Sequence, residues 1–214
     1  MAIARRVRQP RRKSAKLCRM DDIVKQAMAK WPDVPHCYGW LALDARGGWR
    51  MRDEHAQQAN LPGDRLNNAA LLAFINRNYA ADERGCWYFQ NGPQRVYVNL
   101  ETTPYVARTD PTQGLVVQTG EALGPVEQAY MTSAGALIVQ AAGKLAQVDD
   151  RDVAQLLAAM EKDGAAVGDD ALLAWLDTGA GTVCLRFNGA VVPVERLPDG
   201  DLGQRFGFVA LPQA

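Results

Sequence analysis

Two Asn-Gly steps, each between runs of alternating apolar and polar residues, restrict the fold of this chain more than any other feature. The sequence GCWYFQNGPQRVYVNL (85–100) contains the first step, and VCLRFNGAVVPVERL (183–197) contains the second. Asn-Gly favours a type I′ turn, because both central residues of that turn need a positive φ angle. We therefore predict two β-hairpins. Proline has no N–H to close a tight turn, so Pro93 predicts a longer or open loop in the first hairpin, whereas Ala190 allows a two-residue turn in the second.

Each hairpin belongs to a stretch with the same predicted order of elements: a β-hairpin, a helix, a second β-hairpin and a strand. Residues 39–54 align with residues 135–150 at an offset of 96, and the two Asn-Gly steps lie 97 residues apart. The apolar helical pattern at 70–74 is also similar to that at 171–175. We therefore predict an α+β fold with an internally duplicated unit, giving two mostly antiparallel sheets packed on helices.

The predicted domain boundaries follow from the Gly and Pro residues between 110 and 125 and from the change in composition near residue 20. An additional helix from about Arg151 to Lys162 distinguishes the second repeat from the first. The predicted segments are a disordered basic tail (1–19), a first α+β repeat (20–110), a connector (111–133) and a second α+β repeat (134–214).

The net charge of zero conceals an uneven distribution. Residues 1–20 carry eight basic side chains and no acidic one, so the remaining chain has an excess of acidic residues. Such a tail can bind nucleic acid through phosphate contacts. Two alternatives are a solvated tail and an upstream extension of the reading frame, since Met20 precedes a capped helix like a natural start. The candidate nucleic-acid-binding residues are Arg5, Arg6, Arg8, Arg11, Arg12 and Lys13.

The cysteines and the hydropathy favour a cytoplasmic location. Cys18, Cys37, Cys86 and Cys184 are scattered without a CxxC pair, which is typical of free thiols in a reducing compartment. No apolar run approaches the roughly 20 residues that a membrane-spanning helix needs. We therefore expect no association with a membrane.

The chain has few groups suited to catalysis. His36 adjoins Cys37, but neighbours in a strand point to opposite faces and do not form a nucleophile–base pair there. The acidic residues around 149–152 are typical of a helix N-terminus rather than of a metal site. We therefore expect neither a cofactor nor a metal, and we keep a cysteine-dependent enzyme acting through Cys37 or Cys86 as the second alternative function.

Aromatic residues are concentrated in the first half. The period of two in a strand puts Tyr88 and Tyr97 on the face opposite Val98, so we expect them on the more exposed face, close to Arg95 and Trp40. A surface of this kind can stack a base, a sugar or a peptide side chain. The alternative is that these rings stabilise a half-buried sheet as cross-strand pairs.

Two polar clusters flank the end of the predicted helix that precedes the first Asn-Gly hairpin. Arg77 and Asn78 lie at its end, and Asp82-Glu83-Arg84 follows before the hairpin. Loops at such positions often carry ligand-binding residues, so we include Arg77 and Asn78 among the candidate binding residues. The alternatives are a helix C-cap and a solvated turn.

Two segments, KWPDVPHCYGWLALDARGGWRMRD (30–53) and FINRNYAADERGCWYFQNGPQRVYVNLETTPYV (74–106), resemble a family of uncharacterised proteobacterial proteins known only as a domain of unknown function. The resemblance is closest over about residues 20–120. It implies a bacterial, cytoplasmic protein. It supplies no activity and no catalytic residue for this chain.

The leading interpretation is a non-catalytic binding or scaffolding protein with a protein or small-molecule partner. Its partner surface is predicted on the aromatic-rich first repeat, and the oligomeric state is left open. Nucleic-acid binding through the basic tail is the first alternative function. The candidate binding residues are Trp40, Arg77, Asn78, Tyr88, Arg95 and Tyr97.

Overall fold

The computed structural model describes residues 21–31, 33–198 and 200–214, which form the predicted α+β fold. The predicted disordered tail and its six candidate nucleic-acid-binding residues lie outside the described residues. No described helix combines the length and the apolar composition needed to cross a membrane. The helices of the described part are α1 (Asp22–Lys30), α2 (Glu54–Gln58), α3 (Ala69–Arg77), α4 (Asp150–Leu157), α5 (Asp169–Thr178) and α6 (Leu202–Phe206).

The first sheet has six strands, and four of its five strand pairs are antiparallel. Its spatial order is β3-β2-β1-β6-β5-β4, so the first and last long strands lie side by side, in parallel, at the centre. Its strands are β1 (Cys37–Leu43), β2 (Trp49–Met51), β3 (Asp64–Arg65), β4 (Tyr79–Ala81), β5 (Trp87–Asn91) and β6 (Gln94–Leu100).

The second sheet has nine strands in the order β13-β12-β14-β15-β9-β10-β11-β7-β8 and is also mostly antiparallel. Both β8 and β9 lie within the segment predicted as a connector, and β9 was not predicted. Its strands are β7 (Tyr105–Asp110), β8 (Gly114–Val117), β9 (Gln128–Thr132), β10 (Leu137–Ala141), β11 (Lys144–Val148), β12 (Met160–Lys162), β13 (Ala165–Ala166), β14 (Val183–Phe187) and β15 (Ala190–Leu197).

Both predicted Asn-Gly hairpins are present, but the turn of the first differs from the prediction. Asn91 pairs with Gln94, so Gly92 and Pro93 are the two central residues of a tight turn. The longer or open loop that the sequence predicts does not form. Gly92 supplies the positive φ, at 57°. The turn has moved one residue along the chain because Gln94 has an N–H and Pro93 has none.

The second hairpin has the predicted two-residue turn. Phe187 pairs with Ala190 across it. Asn188 and Gly189 are the central residues, with φ angles of 47° and 78°. Two positive φ angles in succession are the condition for a type I′ turn, so the prediction from Asn-Gly is confirmed here.

Six strands of the second sheet repeat the order and the sense of the six strands of the first. The series β11-β10-β9-β15-β14-β12 corresponds to β3-β2-β1-β6-β5-β4, with a parallel central pair and four antiparallel pairs in both. By sheet position β1 therefore corresponds to β9, whereas the sequence alignment at an offset of 96 equated it with β10. Alternating apolar residues give neighbouring strands the same sequence pattern, so the sequence alignment and the sheet order pair different strands. The predicted duplication itself stays a prediction.

The helix correspondence also differs from the expected one. α4 follows β11 and precedes β12, as α3 follows β3 and precedes β4. In this comparison of element order, α5 and β13 are the elements without a counterpart among the described elements of the first half, whereas the predicted additional helix is the one from about Arg151 to Lys162. That helix ends at Leu157, and residues 160–162 form β12.

One hydrophobic core extends through both halves. It includes Leu41, Ile75 and Val98 from the first half and Leu137 and Trp175 from the second. A smaller cluster lies apart from this core and is centred on residues of β5 and β6. One face of β5 and β6 packs in the large core, and the smaller cluster lies on their opposite face.

The segment after α6 returns to the first half. Val209 donates its backbone N–H to the carbonyl of Gly85, and Ala210 accepts from the N–H of Leu100. The strand predicted at the end of the second repeat is thus reduced to a single parallel bridge between Cys86 and Val209.

Candidate functional site

Two tyrosines form the centre of the smaller cluster on the outer face of the first sheet. Tyr88 on β5 lies directly across from Tyr97 on β6, with ring centroids 5.8 Å apart. Tyr38 on β1 stacks on Tyr97 with centroids 4.6 Å apart and ring planes 4° from parallel. The side-chain period of two produces this arrangement, because Phe89 and Val98, one position along in the chain, belong to the main core.

The predicted exposure of these tyrosines is wrong, although the predicted face is correct. Tyr88 is 6% exposed and Tyr97 is 1% exposed. The covering groups include two guanidinium groups that lie over the rings. The Cζ atom of Arg95 is 4.6 Å from the Tyr88 centroid, and that of Arg84 is 5.6 Å from the Tyr97 centroid. Cation–π contacts of this kind give a buried ring a polar, charged cover.

An open cavity of about 650 Å³ lies beside this cluster, between the outer face of the sheet and α1. We call it the outer-face cavity. Its volume is in the range of about 300–1,000 Å³ that is typical of small-molecule sites. The residues that line it are Lys25, Met28, Ala81, Asp82, Glu83, Arg84, Tyr88 and Arg95.

Asp82 organises the wall of the outer-face cavity between β4 and β5. Its carboxylate accepts hydrogen bonds from the amides of Arg84 and Cys86, at 2.9 and 3.0 Å, and from the Tyr97 hydroxyl, at 3.0 Å. The Nε atom of Arg84 donates a fourth hydrogen bond, at 3.2 Å. Burial alone would raise the pKa of the Asp82 carboxyl, but these hydrogen bonds together lower it below the ordinary value. Asp82 is therefore an ionised structural acceptor.

Arg95 contributes a positive charge of a different kind. Its guanidinium is half-buried and lies over the ring of Tyr88, close to the Tyr97 hydroxyl. Burial acts to lower the pKa of Arg95, but the contact with Tyr97 raises it on balance, so the side chain stays charged. Within the described part of the chain, Arg95 forms no ion pair with a carboxylate. Its charge is therefore available to a ligand.

Helix α1 forms the opposite wall, and Asn78 and Arg77 hold it in place. Asn78 is 1% exposed; its Oδ1 accepts from the Asp21 amide at 3.0 Å, and its Nδ2 donates to the Phe74 carbonyl at 2.9 Å. Arg77 forms a bidentate pair with the Asp21 carboxylate at 3.3 Å. Asn78 is the C-cap of α3, as the alternative interpretation predicted. Both residues position the wall and neither lines the cavity.

Trp40 is on β1 and is 41% exposed, but it does not line the outer-face cavity. The structure therefore brings Tyr88 and Arg95 together at the cavity, with Tyr97 beneath them, and leaves Trp40 apart. From the sequence, Asp82 and Arg84 are predicted only as part of a polar cluster. Lys25 and Met28 are not predicted as site residues, although their spacing of three residues places them on one side of a helix.

The corresponding positions of the second sheet lack this cluster. In the paired strands β14 and β15, Cys184 and Pro193 lie directly across from each other, at the positions that Tyr88 and Tyr97 occupy in the first sheet. The pair Gln90 and Arg95 corresponds in the same way to the pair Arg186 and Val191. The tyrosine pair and Arg95 are therefore specific to the first half.

The thiol nearest the outer-face cavity is poorly suited to nucleophilic chemistry. Cys86 is buried, and burial together with the charge of Asp82 raises the pKa of its thiol. His36 packs edge-on against Tyr97, with centroids 5.7 Å apart. Among the described residues, no group of three or more histidine, cysteine, aspartate or glutamate side chains is arranged to hold a metal ion.

Comparison with known proteins gives a family but no activity. The family model described as "Protein of unknown function (DUF2946)" matches residues 20–213, which confirms the resemblance to an uncharacterised family. The sequence has no match among curated proteins.

Two solved structures are similar to this chain. A DUF1285 family protein from Silicibacter pomeroyi DSS-3 is 14% identical, with a TM-score of 0.48, over 85% of this chain and 91% of that one. A DUF1285 family protein from Shewanella baltica OS155 is 12% identical, with a TM-score of 0.36, over 52% of this chain and 85% of that one.

Proposed function

The chain belongs to the family of proteins of unknown function described as DUF2946, and we propose that it is a non-catalytic binding protein whose ligand occupies the outer-face cavity. One observation carries this proposal: a cavity of about 650 Å³ joins a charged guanidinium with no carboxylate partner among the described residues to an aromatic floor. A cavity of this size is suited to enclosing a small molecule, whereas the flat surface of a protein partner would not enter it. A small-molecule partner is therefore favoured over a protein partner.

The state of the polar groups supports binding rather than catalysis. Asp82 is held ionised by four hydrogen bonds from the protein, so it has little capacity left to accept a proton from a substrate. The raised pKa of the Cys86 thiol leaves little thiolate at neutral pH. The cysteine-dependent enzyme is therefore the less favoured alternative.

We also infer that the two halves derive from one duplicated unit. The matching strand order, and the identical pairing register of the two Asn-Gly hairpins at an offset of 96, support this inference. On this reading, Tyr88, Tyr97 and Arg95 are a specialisation of the first copy, since their counterparts are Cys184, Pro193 and Val191. The difference between the copies points to the same cavity.

A substitution that fills the cavity tests the proposal without removing a buried contact. Ala81 is exposed on the edge strand β4 and lines the cavity. Ala81→Trp should abolish binding of compounds found by a thermal-shift screen of the wild-type protein. Ala166→Trp is the matched control, because Ala166 is exposed on β13, the edge strand of the second sheet, and this variant should bind as the wild type does. A ligand that binds Ala81→Trp unchanged, or a screen in which no compound binds, would contradict the proposal.

Nucleic-acid binding is a second candidate function, favoured by the eight basic and no acidic side chains of residues 1–20. Affinity for mixed-sequence DNA or RNA should then fall steeply with salt and disappear when residues 1–19 are removed. Absence of binding by the full chain at low salt would exclude it. This test is independent of the outer-face cavity.

A further inference from the structure

The basic and acidic side chains around the outer-face cavity are not equally available to a ligand. Its basic side chains are Lys25, Arg84 and Arg95, and its acidic ones are Asp82 and Glu83. The Asp82 carboxylate already accepts four hydrogen bonds from within the protein. Apart from Arg84 and Asp82, which bind each other, a ligand meets two basic side chains, Lys25 and Arg95, and one acidic side chain, the exposed Glu83.

Arg95 is the strongest of these donors. Another half-buried arginine, Arg50, pairs with the Asp44 carboxylate at 2.8 Å, as is usual for a guanidinium removed from water. Arg95 is also half-buried and lies over the Tyr88 ring, close enough to Asp82 to be influenced by its charge, but within the described residues it forms no ion pair. A guanidinium presents five N–H donors in a planar fork that matches a carboxylate or a phosphate. The contact with the face of the Tyr88 ring leaves most of that fork available to a ligand.

Other residues that line the cavity add a second positive charge and an apolar surface. Lys25 is exposed on α1 and pairs with Asp22 at 2.9 Å, but both side chains are more than half exposed, so water already weakens this pair. Its ammonium can therefore turn toward a second anionic oxygen at little cost. Met28, one helical turn further along α1, and Tyr88 provide apolar surface beside Arg95.

We propose that the ligand of the outer-face cavity is a small molecule with one acidic group, a carboxylate or a phosphate, bound to Arg95 with Lys25 at the rim, and an apolar body packed beside Met28 and Tyr88. This inference depends on the proposed function and adds the chemical class of the ligand to it. Arg84 takes no direct part, because its guanidinium already binds Asp82 and lies over the ring of Tyr97.

Four probes that share a benzene ring test the inference: benzoate, phenyl phosphate, benzyl alcohol and benzylamine. Each is titrated into ¹⁵N-labelled full-length protein, and the amide shifts of Lys25, Tyr88 and Arg95 are followed. The two anions should bind about tenfold or more tightly than the alcohol, since a hydrogen bond between charged groups is stronger than one to a neutral hydroxyl. Benzylamine should bind more weakly still. The ratio of benzoate to phenyl phosphate affinity identifies the preferred acidic group.

Variants identify the residue responsible. Arg95→Gln should bring the affinities of the anions within about twofold of that of the alcohol, and Arg95→Lys should restore part of the preference because the charge is kept. Arg205→Gln is the matched control, since Arg205 lies 5.7 Å from the centroid of Tyr130 in a similar cation–π contact but does not line this cavity. It should leave all four affinities unchanged.

The outcomes separate the two proposals. Equal affinities of the alcohol and the anions, or an anion preference that survives Arg95→Gln, would overturn the inference and leave a binding protein of another specificity. Failure of all four probes to shift the three amides would count against the cavity as a binding site, and so against the proposed function itself.

Discussion

The carboxylate of Asp149, which is 1% exposed, accepts a hydrogen bond from the guanidinium of Arg108 at 3.0 Å and thereby joins β7 to the start of α4. Asp149 is also the N-cap of α4, as predicted from the acidic residues around it. Hydrogen bonds from the Arg151 side chain hold the pKa of Asp149 well below its ordinary value, although burial opposes this. This carboxylate therefore stabilises the fold only while it is ionised.

The free energy of unfolding should therefore fall in acid. The pKa of Asp149 is lower in the folded chain than the value of about 3.9 expected in the unfolded chain. Its contribution is thus complete above that value and is lost as the pH falls toward the folded pKa. Asp149→Asn should lower the free energy of unfolding by about 2 kcal/mol at pH 7. Between about pH 2 and pH 7, the free energy of unfolding of this variant, measured in urea, should depend less on pH than that of the wild type. Asp169→Asn, an exposed first-turn residue of α5, is the control; equal slopes for both variants would contradict the prediction.

Asn78 and Arg77 should differ in importance although they are neighbours with a common partner. Asn78→Ala removes buried hydrogen bonds to the Asp21 amide and the Phe74 carbonyl and should cost about 1–3 kcal/mol. Arg77→Gln removes a pair whose arginine is 54% exposed and should cost less than about 1 kcal/mol. Hydrogen exchange of the α1 amides should accelerate strongly in the first variant only. Similar exchange in both variants would show that Asn78 does not hold α1.

The turn of the second hairpin predicts a local cost for a side chain at Gly189. Its φ of 78° is unfavourable for any residue with a Cβ, although no atom lies within 4 Å of that position. Gly189→Ala should therefore lower the free energy of unfolding by about 1 kcal/mol through backbone conformation alone. Gly200→Ala lacks such a φ and should be neutral or slightly stabilising in the same denaturant titration. Equal effects of the two substitutions would refute the backbone explanation.

The thiol of Cys86 should react slowly with alkylating reagents. Cys86 is 4% exposed and the pKa of its thiol is raised by burial and by the charge of Asp82, whereas Cys184 is only half-buried. At pH 8 we expect the folded protein to label Cys86 more slowly than Cys184, on the order of tenfold. Guanidinium chloride should make the two rates similar, which controls for intrinsic reactivity. Fast labelling of Cys86 in the folded protein would revive the cysteine-dependent enzyme.

The sequence allowed local structure to be predicted well. It did not allow us to predict which distant segments cover each face of a sheet. The Asn-Gly steps identified both hairpins, and the period of two assigned Tyr88 and Tyr97 to the correct face, because both signals lie within a few neighbouring residues. The burial of those rings depends on groups far along the chain, such as Tyr38 from β1. No periodicity indicates which distant segment covers a given face, so the tyrosines were expected to be exposed.

The same limit explains the errors in the sheet and in the site. A parallel neighbour such as β15 beside β9 joins strands about sixty residues apart, and no local pattern indicates it. Arg77 and Asn78 were correctly recognised as a helix end, but only the fold reveals that they hold α1 as a wall of the cavity. Lys25 and Met28 line the cavity because they lie on α1. Residue types could therefore be predicted, and their convergence could not.

The bridge from Val209 and Ala210 back to Gly85 and Leu100 has a consequence for biosynthesis. During translation the first sheet is complete in sequence more than a hundred residues before the segment that closes its backbone hydrogen bonds leaves the ribosome. Until then the carbonyl of Gly85 and the N–H of Leu100 lack the partners that they have in the complete fold. The first half therefore acquires its final form last, and a chain that stalls before residue 209 would present this edge to other proteins.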